Sequence, residues 1–215
     1  MILKTLKVET GIIDKTNCYI IVDDKTKEAM VIDPGGESDV ILDMLNILQV
    51  KIKYIYLTHC HADHIGAVKD VKDVHGGKIL VHRNDADGIK DDNISLTYHV
   101  RNEKTEIEAD AIVDDNDIIH IGKIQFKVIH TPGHTTGSSC LYCKEYELLF
   151  SGDTVFRGTW GRTDLPTSSF EDIILSITNK IMILPEETII YPGHGKATKV
   201  KEEEIIYLNL RKKKY

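Results

Sequence analysis

The feature that most constrains this chain is a dense group of histidines that follows a short run of strand-forming residues. Residues 54–57 are aromatic or aliphatic, and residues 58–64 then read Thr-His-Cys-His-Ala-Asp-His. Beyond this group, Val68, Val71 and Val74 recur at every third position until a pair of glycines, and this spacing predicts a helix. The histidines therefore lie between a strand and a helix.

The spacing of these polar residues indicates a metal site. In an extended segment, side chains two positions apart share a face, so His59 and His61 can point towards one metal ion while Asp63 and His64 turn towards a second. The alternative is a surface cluster in which Asp63 only caps the following helix. Three imidazoles and a carboxylate at one strand end favour two neighbouring metal sites.

Three further residues of the ligand type lie at the ends of later predicted strands. They are His134 in His-Thr-Pro-Gly-His-Thr, Asp153 in Ser-Gly-Asp-Thr, and His194 in Tyr-Pro-Gly-His-Gly. Each motif alone is weak, because Pro-Gly-His is often a simple turn and a turn aspartate can bond its own backbone. Together with the first group they strengthen the prediction of a metal centre.

Strand and helix patterns alternate along the chain without Pro- or Ser-rich linkers or a fixed-period repeat. Further strands are predicted over residues 3–8, 18–22, 29–32, 124–129, 139–142, 148–150 and 188–191. Amphipathic helices are predicted near Ser38 and from Phe170 to Ile181. The charged segment 83–117 is expected to be mostly a long surface excursion that could border a substrate cleft. The pattern predicts one layered α/β domain over residues 1–215.

Composition narrows the classes of function. The chain has 27 Lys and Arg against 34 Asp and Glu, a formal net charge of -7, which disfavours sequence-independent binding to nucleic acid. No stretch approaches the roughly 18 uninterrupted apolar residues of a membrane span. Charges at Lys4, Lys7 and Glu9 leave no apolar signal-peptide core. These features predict a cytoplasmic protein with neither a nucleic acid nor a membrane as its partner.

The four cysteines are too few and too unevenly spaced for a disulfide framework, so reduced thiols are expected. Cys140 and Cys143 have the spacing of a redox or zinc motif. They lie in a predicted strand, however, where residues three apart face opposite sides. A shared function of these two thiols is therefore disfavoured.

The motifs THxHxDH, PGHT, GDT and PGHG, in this order, resemble those of the metallo-β-lactamase superfamily over nearly the whole chain. The resemblance implies a four-layer αββα sandwich with a dinuclear metal site at one edge of its two sheets. The residues implied as ligands are His59, His61 and His134 for the first metal, Asp63, His64 and His194 for the second, and Asp153 as a bridge between them.

Within the superfamily, Asp153 argues against an antibiotic-hydrolysing enzyme, which usually has a cysteine there. Residues 152–156, 161–164 and 191–195 most resemble glyoxalase II, a hydroxyacylglutathione hydrolase, and its short bacterial relatives. This resemblance implies that hydroxide held by two divalent metal ions hydrolyses a small-molecule thioester of the S-lactoylglutathione type. Zinc is the expected metal, with iron or manganese as alternatives.

The same resemblance implies roles for two further side chains. Asp63 would orient the hydroxide or accept its proton, in addition to its role as a ligand. Arg162 lies about where glyoxalase II has a basic residue that meets the carboxylate of the thiol carrier. A local ion pair with Asp164 is the alternative for Arg162.

Three other functions remain open, and the first of them is the main alternative. The motifs also resemble those of persulfide dioxygenases of this fold, in which only the equivalents of His59, His134 and Asp153 hold a single iron. The residues around Lys196 that follow the last histidine favour the hydrolase. A binding module that has lost its ligands is disfavoured because all seven are present, and an RNA-processing nuclease is disfavoured by the overall charge.

Overall fold

The computed structural model describes residues 1–11, 15–101, 107–204 and 207. Over these ranges, two six-stranded sheets pack face to face and helices cover the outer face of each. The strands are β1 (Ile2–Val8), β2 (Thr16–Val22), β3 (Glu28–Ile32), β4 (Lys51–Leu57), β5 (Lys78–His82), β6 (Ala111–Val113), β7 (Ile118–Ile121), β8 (Ile124–His130), β9 (Ser139–Cys143), β10 (Leu148–Gly152), β11 (Val155–Phe156), β12 (Thr159–Trp160), β13 (Ile189–Pro192) and β14 (Thr198–Lys199). The predicted αββα sandwich is confirmed.

Six helices accompany these strands in the described part of the chain. They are α1 (Ser38–Leu48), α2 (Ala62–Ile65), α3 (Val68–His75), α4 (Asp92–Ser95), α5 (Thr97–Arg101) and α6 (Phe170–Ser176), the last continued by a π-helical turn over Ile177–Ile181. The Ser169 hydroxyl accepts a hydrogen bond from the backbone amide of Asp172 and so caps the N-terminus of α6. Among the described residues, no helix is long and apolar enough to cross a membrane.

The first sheet has the order β1-β2-β3-β4-β5-β6. Strands β1 to β3 are antiparallel, whereas β3 to β6 run parallel. Parallel neighbours need a crossover connection, and α1 and α3 provide those from β3 to β4 and from β4 to β5. The carboxyl ends of these parallel strands therefore meet at one edge of the sheet.

The second sheet has the order β14-β13-β10-β9-β8-β7 and is antiparallel except where β10 runs parallel to β13. Helix α6 and its π-helical turn lie in the connection that leads to β13 and pack on the outer face through Ile173, Ile177 and Ile181. Strands β11 and β12 form a separate short hairpin directly after β10.

Alternating side chains divide the apolar residues among three cores. In β2, Cys18 and Ile20 face the helices, whereas Tyr19 and Ile21 face the second sheet. Cys140 lies in the core beneath α6 and Cys143 in the core between the sheets, which confirms that these two cysteines face opposite sides. All four thiols are free and buried.

The segment 83–117 is only partly the surface excursion expected from its charge. Its β6 pairs in parallel with β5, and the Asp85 side chain is buried. Strands β5 and β6 were not predicted, because their apolar runs are only about three residues long and too short to show an alternating pattern. Residues 83–101 form a series of short helices and helical turns.

Candidate metal centre

The seven residues singled out by the sequence motifs lie together at one edge of the sandwich. His59 and His61 follow β4, His134 follows β8, Asp153 follows β10, and His194 follows β13. Asp63 lies in the first turn of α2, but the N-cap position belongs to His61. The interpretation of Asp63 as a helix cap is therefore wrong, because its carboxylate faces the histidines instead.

Three imidazoles form the first group. One ligand-type atom from each of His59, His61 and His134 lies within 4.8 Å of the others, and all three side chains are buried. Nδ1 of His61 and Nε2 of His134 are only 2.9 Å apart. Three imidazole nitrogens around one point are a typical set of ligands for a divalent transition metal.

The second group consists of Asp63, His64 and His194. Nε2 of His194 lies 3.1 Å from Oδ2 of Asp63, and Nε2 of His64 lies 3.5 Å from the same oxygen. The two imidazole nitrogens are 3.4 Å apart. This group therefore offers two nitrogens and one carboxylate oxygen at a single point.

Asp153 lies between the two groups. Its Oδ1 is 3.4 Å from Nε2 of His64, and its Oδ2 is 3.5 Å from Nε2 of His134 and 3.4 Å from Nε2 of His194. One carboxylate is thus in contact with histidines of both groups. Gly193 makes this arrangement possible, since a Cβ there would lie 2.2 Å from Oδ1 of Asp153.

A hydrogen-bond chain behind His59 determines which of its nitrogens carries the proton. The Thr58 hydroxyl donates its only hydrogen to Oδ2 of Asp33 at 2.7 Å. Its oxygen must then accept the hydrogen bond from Nδ1 of His59, which is 3.0 Å away. Nε2 of His59 is left with a free lone pair, as a metal ligand requires.

The same pattern repeats behind three other histidines of the cluster. Nδ1 of His64 donates to Oδ2 of Asp33 at 3.0 Å, and Nδ1 of His134 donates to the Arg162 carbonyl at 2.8 Å. Nδ1 of His194 donates to the Lys15 carbonyl at 3.2 Å. Each of these rings therefore directs Nε2, the nitrogen that a metal ion can bind, into the cluster.

Several buried polar atoms of the cluster lack hydrogen-bond partners in the described part of the chain, and this shows whether the cluster fits a metal ion. Nε2 of His59, Nε2 of His61 and Oδ1 of Asp153 are buried without a hydrogen-bond partner among the described residues. Buried polar atoms are rarely left in this state. For His59 and Asp153, whose unpaired atoms face the cluster, coordination to a divalent cation would satisfy them, so the cluster fits such an ion.

The electrostatics of the cluster keep His59 and His61 neutral and favour positive charge at His64 and His194. Burial lowers the pKa of His61 to about 3 and holds the pKa of His59 well below its ordinary value. Burial also opposes the charged form of His194, but the neighbouring carboxylates, Asp153 first, raise its pKa to about 10. Asp63 and Asp153 likewise raise the pKa of His64 well above its ordinary value. Protons on these two histidines occupy the position that a cation would take.

Two buried carboxylates that hold the cluster, Asp33 and Asp85, were not predicted from the sequence. Asp33 accepts hydrogen bonds from the Thr58 amide, the Thr58 hydroxyl and His64. Asp85 accepts them from the Cys60 amide, the Thr135 hydroxyl and the Gly137 amide. Asp33 does follow a strand and precede Pro-Gly-Gly, a signal that could have found it, whereas nothing in the sequence around Asp85 marks it.

Arg162 does not reach into the cluster through its side chain. Its Nε lies 2.7 Å from Oδ1 of Asp164, and its Nη2 lies 2.8 Å from Oδ2. Both carboxylate oxygens are thus engaged by one guanidinium on the surface. The structure therefore contains the local ion pair, and Arg162 meets the cluster only through its backbone carbonyl.

The fold and this buried cluster define the class of protein as metallo-hydrolases. The chain belongs to the metallo-beta-lactamase superfamily, whose family model matches residues 12–194. It is similar to the hydroxyacylglutathione hydrolase GloC of Haemophilus influenzae, with 32% identity over 191 residues that cover 87% of this chain and 89% of the relative. The family resemblance seen in the motifs is confirmed.

Two solved structures show the same similarity. The BLEG-1 B3 metallo-beta-lactamase is 35% identical, with a TM-score of 0.88, and the match covers 95% of this chain and 97% of that one. TTHA1623, solved in a di-iron-bound form, is 28% identical, with a TM-score of 0.80 and coverage of 93% of this chain and 96% of that one.

Proposed function

We propose that this protein hydrolyses a thioester of the S-lactoylglutathione type at a centre of two divalent metal ions. The observation that carries the proposal is the position of Asp153, which lies within 3.5 Å of His64, His134 and His194 and so joins the two groups of ligand-type residues. The proposed ligands are His59, His61 and His134 for one ion, Asp63, His64 and His194 for the other, and Asp153 for both.

When bound, two such ions would lower the pKa of a water molecule towards about 7 and polarise the thioester carbonyl. Asp63 is the residue proposed to orient that water and accept its proton, since Oδ2 faces the cluster and the side chain is buried. The water oxygen adds to the carbonyl carbon, and the carbon–sulfur bond breaks. The electron pair leaves with sulfur as a thiolate, which then takes up the proton that Asp63 accepted from the water, so the products are a carboxylic acid and a thiol.

The thiolate leaves without a dedicated acid because thiols are acidic, with a pKa near about 8.5. The similarity to a relative named hydroxyacylglutathione hydrolase supports a hydroxyacyl thioester as the substrate. Zinc is the proposed metal, and the di-iron form of a 28% identical neighbour keeps iron as an alternative. We also propose a cytoplasmic location, which the four free cysteines support.

A second candidate is lactam hydrolysis, because a structure that is 35% identical over nearly the whole chain is that of a B3 metallo-beta-lactamase. Persulfide oxidation at a single iron is the third candidate function. That reaction would leave Asp63, His64 and His194 without a role as ligands, although all three point towards one location.

The test measures three activities of one purified protein. Zinc-loaded protein is assayed with S-lactoylglutathione and with nitrocefin, and iron-loaded protein with glutathione persulfide in an oxygen electrode. We expect metal-dependent release of glutathione without oxygen uptake and with negligible nitrocefin cleavage. Oxygen uptake without thioester cleavage would identify a dioxygenase, and dominant nitrocefin cleavage would identify a lactamase.

A ligand variant and a matched surface variant complete this test. Replacement of His59 by Ala should lower thioester turnover more than about a hundredfold, since residues behind a ligand already contribute 10–100-fold. Replacement of the exposed His120 by Ala, on the edge strand β7, removes an imidazole that belongs to neither group of ligand-type residues and should leave turnover within about twofold. Equal activity of both variants would refute the proposed centre.

A further inference from the structure

A basic cleft of about 580 Å³ opens beside the candidate metal centre. Four cationic side chains line it, Lys7, Lys15, Arg157 and Lys196, and no acidic residue is among the described residues of its lining. His194 also lines it, so the cleft and the centre share a residue. Its volume is within the range of small-molecule sites, roughly 300–1,000 Å³.

Among the residues that the structure describes, three of these four cations have no acidic partner. Nζ of Lys15 lies 2.9 Å from Oε1 of Glu9, so its charge is matched. Lys7, Arg157 and Lys196 form no ion pair within the described residues. Three unmatched positive charges around one cleft, in a chain whose net charge is -7, concentrate positive potential at this place.

The backbone that carries these cations is anchored on both sides of the cleft. Arg157 lies in the turn of the β11–β12 hairpin, which is held by a 2.9 Å hydrogen bond from the Gly158 amide to Glu203 and by one from Tyr207 to the Thr159 carbonyl. On the other side, the carbonyl of Gly195, next to Lys196, accepts a hydrogen bond from the side-chain amide of Asn17. The cleft is therefore preformed in its backbone.

The cleft is also the side from which a solvent-borne ligand can reach the centre. The His194 side chain is 20% exposed, whereas those of Asp63 and Asp153 are 8% and 9% exposed. The four other histidines of the cluster are at most 3% exposed. A molecule that fills the cleft can therefore contact both His194 and the cations.

Two other features of the structure explain substrate binding less well. The charge of Arg162 is already matched by both oxygens of Asp164. A larger cavity of about 1010 Å³ lies on the outer face of the second sheet, and none of the seven cluster residues lines it. The basic cleft combines unmatched charge with contact to the centre.

We propose that this cleft binds the thiol half of the substrate and that this half carries several negative charges, as carboxylates or as phosphates. The proposal rests on the proposed thioester hydrolysis. It assigns recognition of the leaving thiol to Lys7, Arg157 and Lys196. These residues act as binding residues and take no part in the bond changes.

The test compares three lactoyl thioesters that differ only in the thiol. S-lactoylglutathione carries carboxylates, lactoyl-coenzyme A carries phosphates, and the N-acetylcysteamine thioester is neutral. The metal-loaded protein is compared with the triple variant Lys7→Gln, Arg157→Gln, Lys196→Gln. Replacement of the exposed Lys4 by Gln, on the same strand as Lys7 but outside the cleft, is the matched control.

We expect the triple variant to raise KM for at least one anionic thioester by about tenfold or more, because each exposed ion pair contributes up to about 1 kcal/mol. Its kcat should change little, and the neutral thioester should react within about twofold of the wild type. Added salt should weaken the preference of the wild type for anionic over neutral thioesters, and it should leave the KM values of the triple variant unchanged. The anionic thioester whose KM rises more in the triple variant shows which groups the cleft binds: carboxylates if it is S-lactoylglutathione, phosphates if it is lactoyl-coenzyme A.

A binding measurement keeps this inference separate from the proposed function. S-methylglutathione and S-methyl-coenzyme A are thioethers that cannot be hydrolysed, and calorimetry gives their Kd for both proteins. If the wild type cleaves none of the three thioesters, the proposed function is refuted, and thioether binding still tests the cleft. If the triple variant binds both thioethers as tightly as the wild type, the cleft is not an anion site.

Discussion

The carboxylate of Asp85 accepts a hydrogen bond from the hydroxyl of Thr135, whose oxygen lies 2.7 Å away. The same carboxylate accepts hydrogen bonds from the backbone amides of Cys60 and Gly137 at 3.0 and 2.7 Å. Cys60 lies between His59 and His61, and Thr135 directly follows His134. One buried side chain therefore holds together the two loops that carry the first group of histidines.

Replacement of Asp85 by Ala should weaken both folding and metal binding. Three buried donors would lose their acceptor, which predicts a loss of about 2–3 kcal/mol in the free energy of unfolding. Zinc affinity should fall about 10–100-fold because the loops are no longer held together. Denaturant unfolding and zinc competition with a chelator measure the two effects. The exposed neighbour Asp87, replaced by Ala, is the control, and equal behaviour of the two variants would contradict this role.

The Thr58 hydroxyl should control the affinity of the first metal site through His59. Replacement of Thr58 by Val keeps the shape of the side chain but removes the oxygen that accepts the hydrogen bond from Nδ1 of His59. We expect zinc affinity to fall about tenfold or more. Replacement by Ser retains the hydroxyl and should preserve affinity in the same chelator competition. A Val variant that binds zinc as tightly as the Ser variant would rule out this relay.

Asp63 is expected to matter more for turnover than for folding. Replacement by Asn retains the size of the side chain but removes the charge and the proton acceptor, so kcat should fall about 10²–10⁴-fold. The midpoint of thermal unfolding should move by only a few degrees. Metal content is measured in parallel, and Asp70→Asn on the exposed face of α3 is the control. Turnover close to that of the wild type would disprove the role of Asp63.

The histidine cluster predicts a bell-shaped pH dependence for the stability of the metal-free protein. The pKa of His194 is raised from 6.5 to about 10, so its stabilising contribution is complete below pH 6.5 and is lost as the pH rises towards 10. The pKa of His61 is lowered to about 3, so the unfolded chain binds the extra proton below pH 6.5 and stability falls as the pH drops towards 3.

The two opposite shifts place the maximum of this contribution near pH 6.5. The check is the midpoint of thermal unfolding, measured in the presence of a chelator between about pH 5 and 9. Replacement of His194 by Asn should reduce the decline on the alkaline side. A midpoint that rises steadily from pH 7 to 9 in the wild type would contradict the prediction.

The alternation of apolar residues was enough to predict most of the layers. In β2 and β8 it divides the side chains between two cores, because a pleated strand sends neighbours to opposite faces. Strands β5 and β6 escaped prediction because a run of about three apolar residues has no recognisable period. Their place in the sheet depends on pairing with β4 and with each other.

The seven residues of the candidate site could be singled out from the sequence, since they lie in short motifs that follow strands, and the structure brings them together at one edge. Their roles as ligands stay a prediction. The groups that support them depend on tertiary contacts, because Asp33 reaches Thr58 across 25 positions and Asp85 reaches Thr135 across 50. The tertiary structure likewise brought Lys7 and Arg157 into one cleft and paired Arg162 with Asp164. Such contacts depend on the packing of distant segments, and a local pattern of residue types carries no information about them.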